Sequence, residues 1–306
     1  MRKIQSFLEY IGLRFAIGFM KLLPYWLSVR LLAYLLLFGG KVLRIRRKVV
    51  LRQLKAIFPE KTDRERNILA DSIYFELGKS VCEIFIAPDT KVFEQMEFEG
   101  VEHIENLVSM KRGIIFVSAH FGNWEVGARA LAQFTDKVSA VVKTQRNTLF
   151  DNYINKARLN AGIHTLSMKS ALRNIILALK KNEAVGFLVD QYAGKHGVDM
   201  PFMGIETKVY TSVAKLSIKT KSPIIFAFDV REGYYKHHCF ISEPIFTDNL
   251  ELNDKNILDL TEKINYTIED YIRRFPHMWL WLHRRWRNLE ESKDENNPSG
   301  TRISKR

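Results

Sequence analysis

Two cysteines in 306 residues, Cys82 and Cys239, are too few for a disulfide framework, and neither stands in a C-x-x-C or Cys/His spacing that would hold structural zinc. That usage predicts a reducing compartment. A long charge-free apolar run is also missing. Between Phe7 and Gly40 the chain is strongly apolar, yet Glu9, Arg14, Lys21 and Arg30 interrupt it, and its longest uninterrupted stretch is the ten residues Leu31–Gly40. A spanning helix needs roughly 20 largely apolar residues, so the sequence does not support a clean transmembrane segment. No internal repeat and no obvious linker is present, which sets solenoids aside. The G-x-S-x-G nucleophile elbow is absent as well, so Ser118 beside His120 does not suggest a serine hydrolase. What the chain does have is 46% hydrophobic and 12% aromatic residues, ample for a packed core and incompatible with a mostly disordered protein.

The formal charge is +13, and its placement matters more than its size. Residues 1–48 carry ten basic residues against Glu9 alone, and residues 271–287 add five arginines and no acid, leaving the rest of the chain at −1. Both basic segments are rich in Trp, Leu and Phe. Such a mixture suits an anionic lipid surface, whereas a duplex-binding face would interleave Arg and Lys with small polar residues. A membrane partner is therefore expected, and no nucleic acid.

On a helical wheel Lys3, Tyr10, Arg14 and Lys21 share one narrow stripe, with Leu8, Ile11, Phe15, Phe19, Leu22 and Leu23 elsewhere. This predicts a helix lying in the headgroup region, broken at Pro24, followed by a second apolar helix to Gly39-Gly40 and a basic collar at Arg44–Lys48. A cleaved signal peptide fits less well, since no small-residue cleavage site follows the apolar stretch; a buried helical hairpin is the bland alternative. Beyond it, Thr62-Asp63-Arg64-Glu65 has capping-box spacing and predicts a helix burying Ile68, Ile73, Phe75, Leu77, Val81 and Ile84. Strands are predicted at 113–119, 138–142, 184–190, 223–230 and 237–241. Helices are predicted at 123–134, 149–161, 169–181, 211–220 and 254–275. Near-continuous apolar strands alternating with helices indicate an α/β fold with a mainly parallel central sheet flanked by helices. The expected division is an N-terminal membrane-associating helical segment (1–48), an α/β catalytic domain (49–289) and a polar, disordered tail (290–306).

The chemistry points to Ile114–Gly127, IIFVSAHFGNWEVG, where a buried strand runs out into His120 just before a helix. Ligands collect at the carboxyl ends of strands in open α/β sheets. Glu125, five positions on, is expected to fold back, accept the imidazole N–H and stabilise the imidazolium formed when the other nitrogen takes a proton. That would be a general-base dyad. Gly122 would allow close backbone approach, and free N–H groups at the helix start would stabilise negative charge. His237-His238 is a poor metal site, because adjacent strand residues point to opposite faces and no acidic cluster supports them. With no protein nucleophile, the partner of such a base is a hydroxyl on the substrate.

These residues resemble a known family. SAHFGNWE around His120 and Glu125, Asp190-Gln191 after an apolar strand, Pro201-Phe202-Met203-Gly204, and MWLWLHRRWR (Met278–Arg287) are similar to the late acyltransferases of lipid A biosynthesis, the lauroyl/myristoyl-type enzymes of the lysophospholipid acyltransferase superfamily. The likeness runs from the N-terminal helix through RKVVLRQLKAIFPE (Arg47–Glu60) to Arg287. It implies transfer of a fatty acyl group from an acyl thioester, on acyl carrier protein or coenzyme A, to a hydroxyl of a glycolipid at the cytoplasmic face of the bacterial inner membrane. No cofactor and no metal would be needed. By the same resemblance His120 is the base and Glu125 its support, while Gly122, Asn123, Lys143, Asn147, Arg158, Asp190, Gln191 and Gly204 bind substrate. Lys143 and Arg158 would meet sugar or pantetheine phosphates. Asp190 would orient a donor or cap the following loop, and the cluster of Trp279, Trp281 and Trp286 would be structural or interfacial. The chain departs from the family at Lys143-Thr144, where Arg-Pro is commoner, and at Phe202-Met203-Gly204, where Phe-Phe-Gly is commoner. Alternatives are another lipid acceptor (a lysophospholipid, a phosphatidylinositol mannoside or an aminolipid) or a non-catalytic basic protein that binds membrane or nucleic acid.

Overall fold

In the computed structural model, residues 2–135, 137–167, 171–287 and 289 are described; the expected polar tail, 290–306, lies outside them. The chain opens with two helices, α1 (Arg2–Leu22) and α2 (Tyr25–Lys41), separated at Pro24 as predicted. Helix α1 turns Ile4, Phe7, Leu8, Ile11, Phe15, Phe19 and Leu22 outward, and α2 adds Trp26, Leu31, Leu35 and Phe38. Two residues of the polar stripe meet Tyr153: Tyr10 packs on its ring, and the exposed Arg14 guanidinium sits 5.0 Å over the same ring. No helix among the described residues is long and apolar enough to cross a membrane.

Helices α3 (Arg47–Ile57) and α4 (Asp63–Phe85) follow. The Thr62/Glu65 capping box forms as the spacing predicts. Helix α2 lies directly along α4, which explains two glycines: a Cβ on Gly78 would come within 2.4 Å of the Leu32 carbonyl, and one on Gly40 within 2.3 Å of the Tyr74 ring. The buried face of α4 differs from the predicted one. Ile73 is buried, but Ile68 is exposed, Phe75, Leu77, Val81 and Ile84 are half-buried, and the helix instead buries Arg66, Lys79, Ser80 and Glu83.

The remaining elements are α5 (Asp89–Phe93), β1 (Met96–Glu99), α6 (Val101–Ser109), β2 (Ile114–Ser118), α7 (Trp124–Leu131), β3 (Val138–Val142), α8 (Thr148–Asn160), β4 (Ile163–Ser167), α9 (Ala171–Lys180), β5 (Ala184–Leu188), β6 (Val198–Phe202), β7 (Ile205–Val209), α10 (Ser212–Thr220), β8 (Ile224–Glu232), β9 (Lys236–Ile241) and α11 (Asp254–Arg274). Seven strands form one sheet in the order β1-β9-β8-β2-β5-β3-β4, and β6 and β7 form a separate hairpin. From β8 to β4 all pairings are parallel; β9 is antiparallel to β8 and carries β1 parallel on the outer edge. Apolar side chains cover both faces, with α4, α10, α11 and the three tryptophans on one and α6 and α7 on the other. This is the α/β sheet expected from unbroken apolar strands. The short strands β1, β4, β6 and β7 lie outside the predicted set, because each interleaves polar residues or carries Pro201 and none shows the continuous apolar run of the buried strands.

Between α4 and the sheet lies a largely buried charged cluster. Arg231 of β8 reaches Glu83 (Nε–Oε1 3.1 Å), Glu76 (Nη1–Oε2 2.8 Å) and the Ser80 hydroxyl (3.0 Å). His237 of β9 bridges Asp229 (Nδ1–Oδ1 2.9 Å) and Glu83 (Nε2–Oε1 3.1 Å). Burial opposes a charged His237, but the two carboxylates prevail and hold its pKa up to about 9. Folding therefore favours the protonated ring, and the associated stability is complete below the unfolded value of roughly 6.5 and is lost as pH rises through about 9. Urea denaturation between pH 6 and 9 is expected to show a fall on the order of 3 kcal/mol, a slope that His237→Gln should flatten. A flat profile in the parent protein would contradict the assignment.

Candidate active site

Strand β2 is buried along Ile114–Val117, and its last residue, Ser118, is tied down by donating to the Ala227 carbonyl at 2.6 Å. The chain then leaves the sheet through buried Ala119 into His120. Strand β5 runs parallel alongside, with Ser118 opposite Leu188, so His120 and Asp190 both stand two residues past the last paired position. They meet there: His120 Nδ1 lies 2.9 Å from Asp190 Oδ1. The other carboxylate oxygen accepts Trp279 Nε1–H at 2.8 Å. Asp190 is almost wholly buried, while the His120 side chain keeps 22% of its surface exposed. Burial would lower the imidazole pKa, but the Asp190 carboxylate outweighs it, with a smaller contribution from Glu125, so the ring is held above its ordinary value. Asp190 moves the opposite way: burial would raise it, and the His120 charge and the hydrogen bonds from His120 and Trp279 hold it below the usual carboxylate range.

The expected pairing of His120 with Glu125 is thus corrected. Glu125 sits in the first turn of α7, and both its oxygens face Arg158 of α8, with Arg158 Nε–Oε2 at 3.0 Å and a second bond from Nη2. A strand-end partner in register was closer to the ring than a helical one five residues on. Glu125 remains near enough to favour the imidazolium, but it does not hold the ring. On the other side of the imidazole, Gln191 Nε2 approaches His120 Nε2 at 3.3 Å, and Trp124 packs edge-on at 5.1 Å between centroids.

Other predicted site residues have different work. Asn123 is completely buried; its side-chain oxygen caps α7 by accepting from Val126 N, and its amide donates to Glu83 at 2.7 Å. Gly122 lies with φ +56° against the Asp229 carbonyl, which a Cβ would meet at 1.8 Å, and its N–H donates to Met278 O. Since Asn123 N donates to Asp229, these two amides are not free for an incoming anion. Asn147 caps α8 and ties it to α1 by donating to Ser6 O at 2.9 Å. Gly204 is the second residue of the two-residue turn between β6 and β7, where Met203 and Gly204 both have positive φ, the type I′ pattern. Lys143 is exposed just past β3. Only Glu125, Arg158, Asp190 and Gln191 gather with His120.

Sequence reasoning underestimated the 278–287 segment. Leu280 N donates to the His120 carbonyl, and Phe121 and Trp279 form a bridge. His283 Nε2 accepts from Tyr192 N at 3.3 Å; burial lowers its pKa to about 4, which keeps that nitrogen an acceptor. Arg285 donates to the Gln191 and Lys208 carbonyls and stacks 4.4 Å from the Phe202 ring. Gln53 of α3 in turn holds the segment through the Trp281 and His283 carbonyls and Arg285 N. All three tryptophans are buried, so they belong to the core and not to an interface. The density of Trp and Arg was the available signal, but it does not say which loops are clamped.

Beside the imidazole, Trp124, Glu125 and Arg158 border a cavity between α7 and the sheet. Small residues create it: Gly127 and Ala128 on the helix face Ala140 and Gly186 on the strands, where larger side chains would have closed the space. It extends from Val142, at the carboxyl end of β3, to Val138 at its start, roughly 13 Å at strand rise.

Residues 1–288 match the model of the bacterial lipid A biosynthesis acyltransferases. This chain belongs to that family. It is 26% identical over 292 residues to the lipid A biosynthesis palmitoleoyltransferase of Escherichia coli, covering 91% of this chain and 94% of that enzyme. To the lauroyltransferase of the same organism it is 27% identical over 278 residues, 88% of either chain. A crystal structure of the 1-acyl-sn-glycerophosphate acyltransferase from Thermotoga maritima covers 83% of the chain and 97% of its own at 14% identity, with a TM-score of 0.40, too low to add to the assignment. The acyltransferase thus acts in lipid A biosynthesis with a glycolipid acceptor. Two relatives named for different acyl groups lie at nearly equal identity, so overall similarity does not fix the chain transferred.

Proposed function

We propose that this acyltransferase carries a fatty acyl chain from a thioester of acyl carrier protein to a hydroxyl of a lipid A precursor, with His120 as general base. The observation that carries this reading is the exposed edge of a carboxylate-supported imidazole beside an apolar cavity. The acyl chain lies in the cavity, which brings the thioester carbonyl to the imidazole. With Nδ1–H donating to Asp190, Nε2 carries the lone pair and removes the acceptor proton. The acceptor oxygen attacks the carbonyl carbon, the C–S bond breaks, and the imidazolium returns the proton to the departing thiolate. Asp190 fixes the tautomer and stabilises the charged ring. The Gln191 amide, which meets Nε2 in the free protein, yields that position to the hydroxyl and donates to the developing oxyanion. A thioester is already activated, so positioning, proton transfer and oxyanion stabilisation are sufficient, without metal or cofactor.

The outward apolar surface of α1 and α2, with Lys21, Arg30, Lys41, Arg44 and Arg46 around it, supports docking on the anionic cytoplasmic leaflet of the inner membrane. Purified protein should add the mass of one acyl chain to a lipid A precursor when given acyl carrier protein thioester. Equal or better turnover with acyl coenzyme A would reassign the donor, and exclusive acylation of a lysophospholipid would reassign the acceptor.

A further inference from the structure

The buried charged cluster under β8 also reaches the active-site loop from below. Asp229 Oδ2 accepts Asn123 N at 3.1 Å, and Glu83 Oε2 accepts Asn123 Nδ2 at 2.7 Å. The Ser80 hydroxyl, itself receiving Arg231 Nη2, lies 3.4 Å from the Gly122 carbonyl. His237 joins the two acids that grip Asn123, donating through one nitrogen to Asp229 and through the other to Glu83. From above, the same loop is held by Met278 O on Gly122 N and by Leu280 N on His120 O. Residues 120–123 are therefore fixed by α4, β8 and the 278–280 segment, and a buried cluster supplies the lower half of the clamp.

We propose that His237 is a positioning residue for acyl transfer: by locking Asp229 and Glu83 onto Asn123 it sets where the His120 imidazole stands relative to the cavity mouth. The inference rests on the reading of His120 as the base. The placement is demanding, because a reacting group displaced by about 1 Å can lose on the order of 10²-fold in rate. Because Asn123 is wholly buried and does not line the cavity, loosening its hold alters the position of the base without removing any side chain that touches substrate. The effect belongs in kcat and not in KM.

The test is steady-state acyl transfer by H237Q, in which one donor reaches Glu83 while the bond to Asp229 is lost. We expect kcat to fall about 10-fold or more, with KM for the thioester and for the acceptor within twofold of the parent. Ser217→Ala breaks a different buried hydrogen bond, between Ser217 of α10 and Thr247, which shares no partner with this loop, and serves as the stability control. It should leave kcat within twofold even where it lowers Tm as much as H237Q does. Should H237Q fail to fold, Ser80→Ala removes only the hydroxyl beneath the Gly122 carbonyl and should lower kcat about threefold at constant KM. Parent-like kcat in the folded variant, or a change confined to KM, overturns the inference. An inactive parent protein would instead refute the acyl-transfer reading on which it rests.

Discussion

Asp190→Asn is expected to reduce kcat for acyl transfer by about 10³-fold while leaving KM nearly unchanged, and His120→Ala by at least as much. The carboxylate fixes the proton on Nδ1 and stabilises the imidazolium, and an amide in its place can present its NH2 group to the ring and favour the wrong tautomer. Glu125→Gln should be milder, about 10-fold, because its loss frees Arg158 and removes a secondary electrostatic support without turning the ring. The order of the two acidic substitutions is the decisive result. Should Glu125→Gln be the more damaging, the ring would be governed by the helix carboxylate and the strand-end pairing would be incidental. Near-parent turnover in His120→Ala would dispose of the base itself. The parent pH profile adds a check: since Asp190 raises the imidazole pKa, the acid limb of kcat/KM should lie above the ordinary histidine value, and activity should decline as pH falls through it.

The second large effect concerns chain length. Ala140 lies midway along the cavity between Val138 and Val142, on the strand face toward α7. An extended acyl chain advances ~1.25 Å per C–C bond, so the roughly 13 Å along β3 accommodates about ten carbons. Ala140→Leu should shorten the accepted chain by about four carbons. At ~0.8 kcal/mol per methylene denied burial, the penalty on the parent's preferred donor is ~3 kcal/mol, about 10²-fold in kcat/KM. Shorter donors should be used within a few-fold of the parent rate. A uniform decline across all chain lengths would show that the cavity does not hold the acyl chain.

Several features were legible in the amino-acid order. Unbroken apolar runs such as Ile114–Val117 and Ile224–Phe228 specify strands buried on both faces of the sheet. The Thr62/Glu65 capping box and the break at Pro24 are local chemistry and formed as local chemistry dictates. His120 at the mouth of a strand was recognisable for the same reason. The buried side of α4 was not, since Lys79, Ser80 and Glu83 read as a solvated face until β8 and β9 supply Arg231 and His237 across the gap.

Sequence alone was enough to read the buried parallel strands, the placement of His120 at a strand end and the family resemblance. Tertiary structure alone decided which acid serves the imidazole. Glu125 and Asp190 are both carboxylates, and proximity along the chain favours the first. The parallel register of β2 with β5 brings the second, 70 residues away, to hydrogen-bonding distance, while α8 draws the first toward Arg158. Hydrogen bonding depends on distance through space, and only strand pairing converts a separation of 70 residues into 2.9 Å.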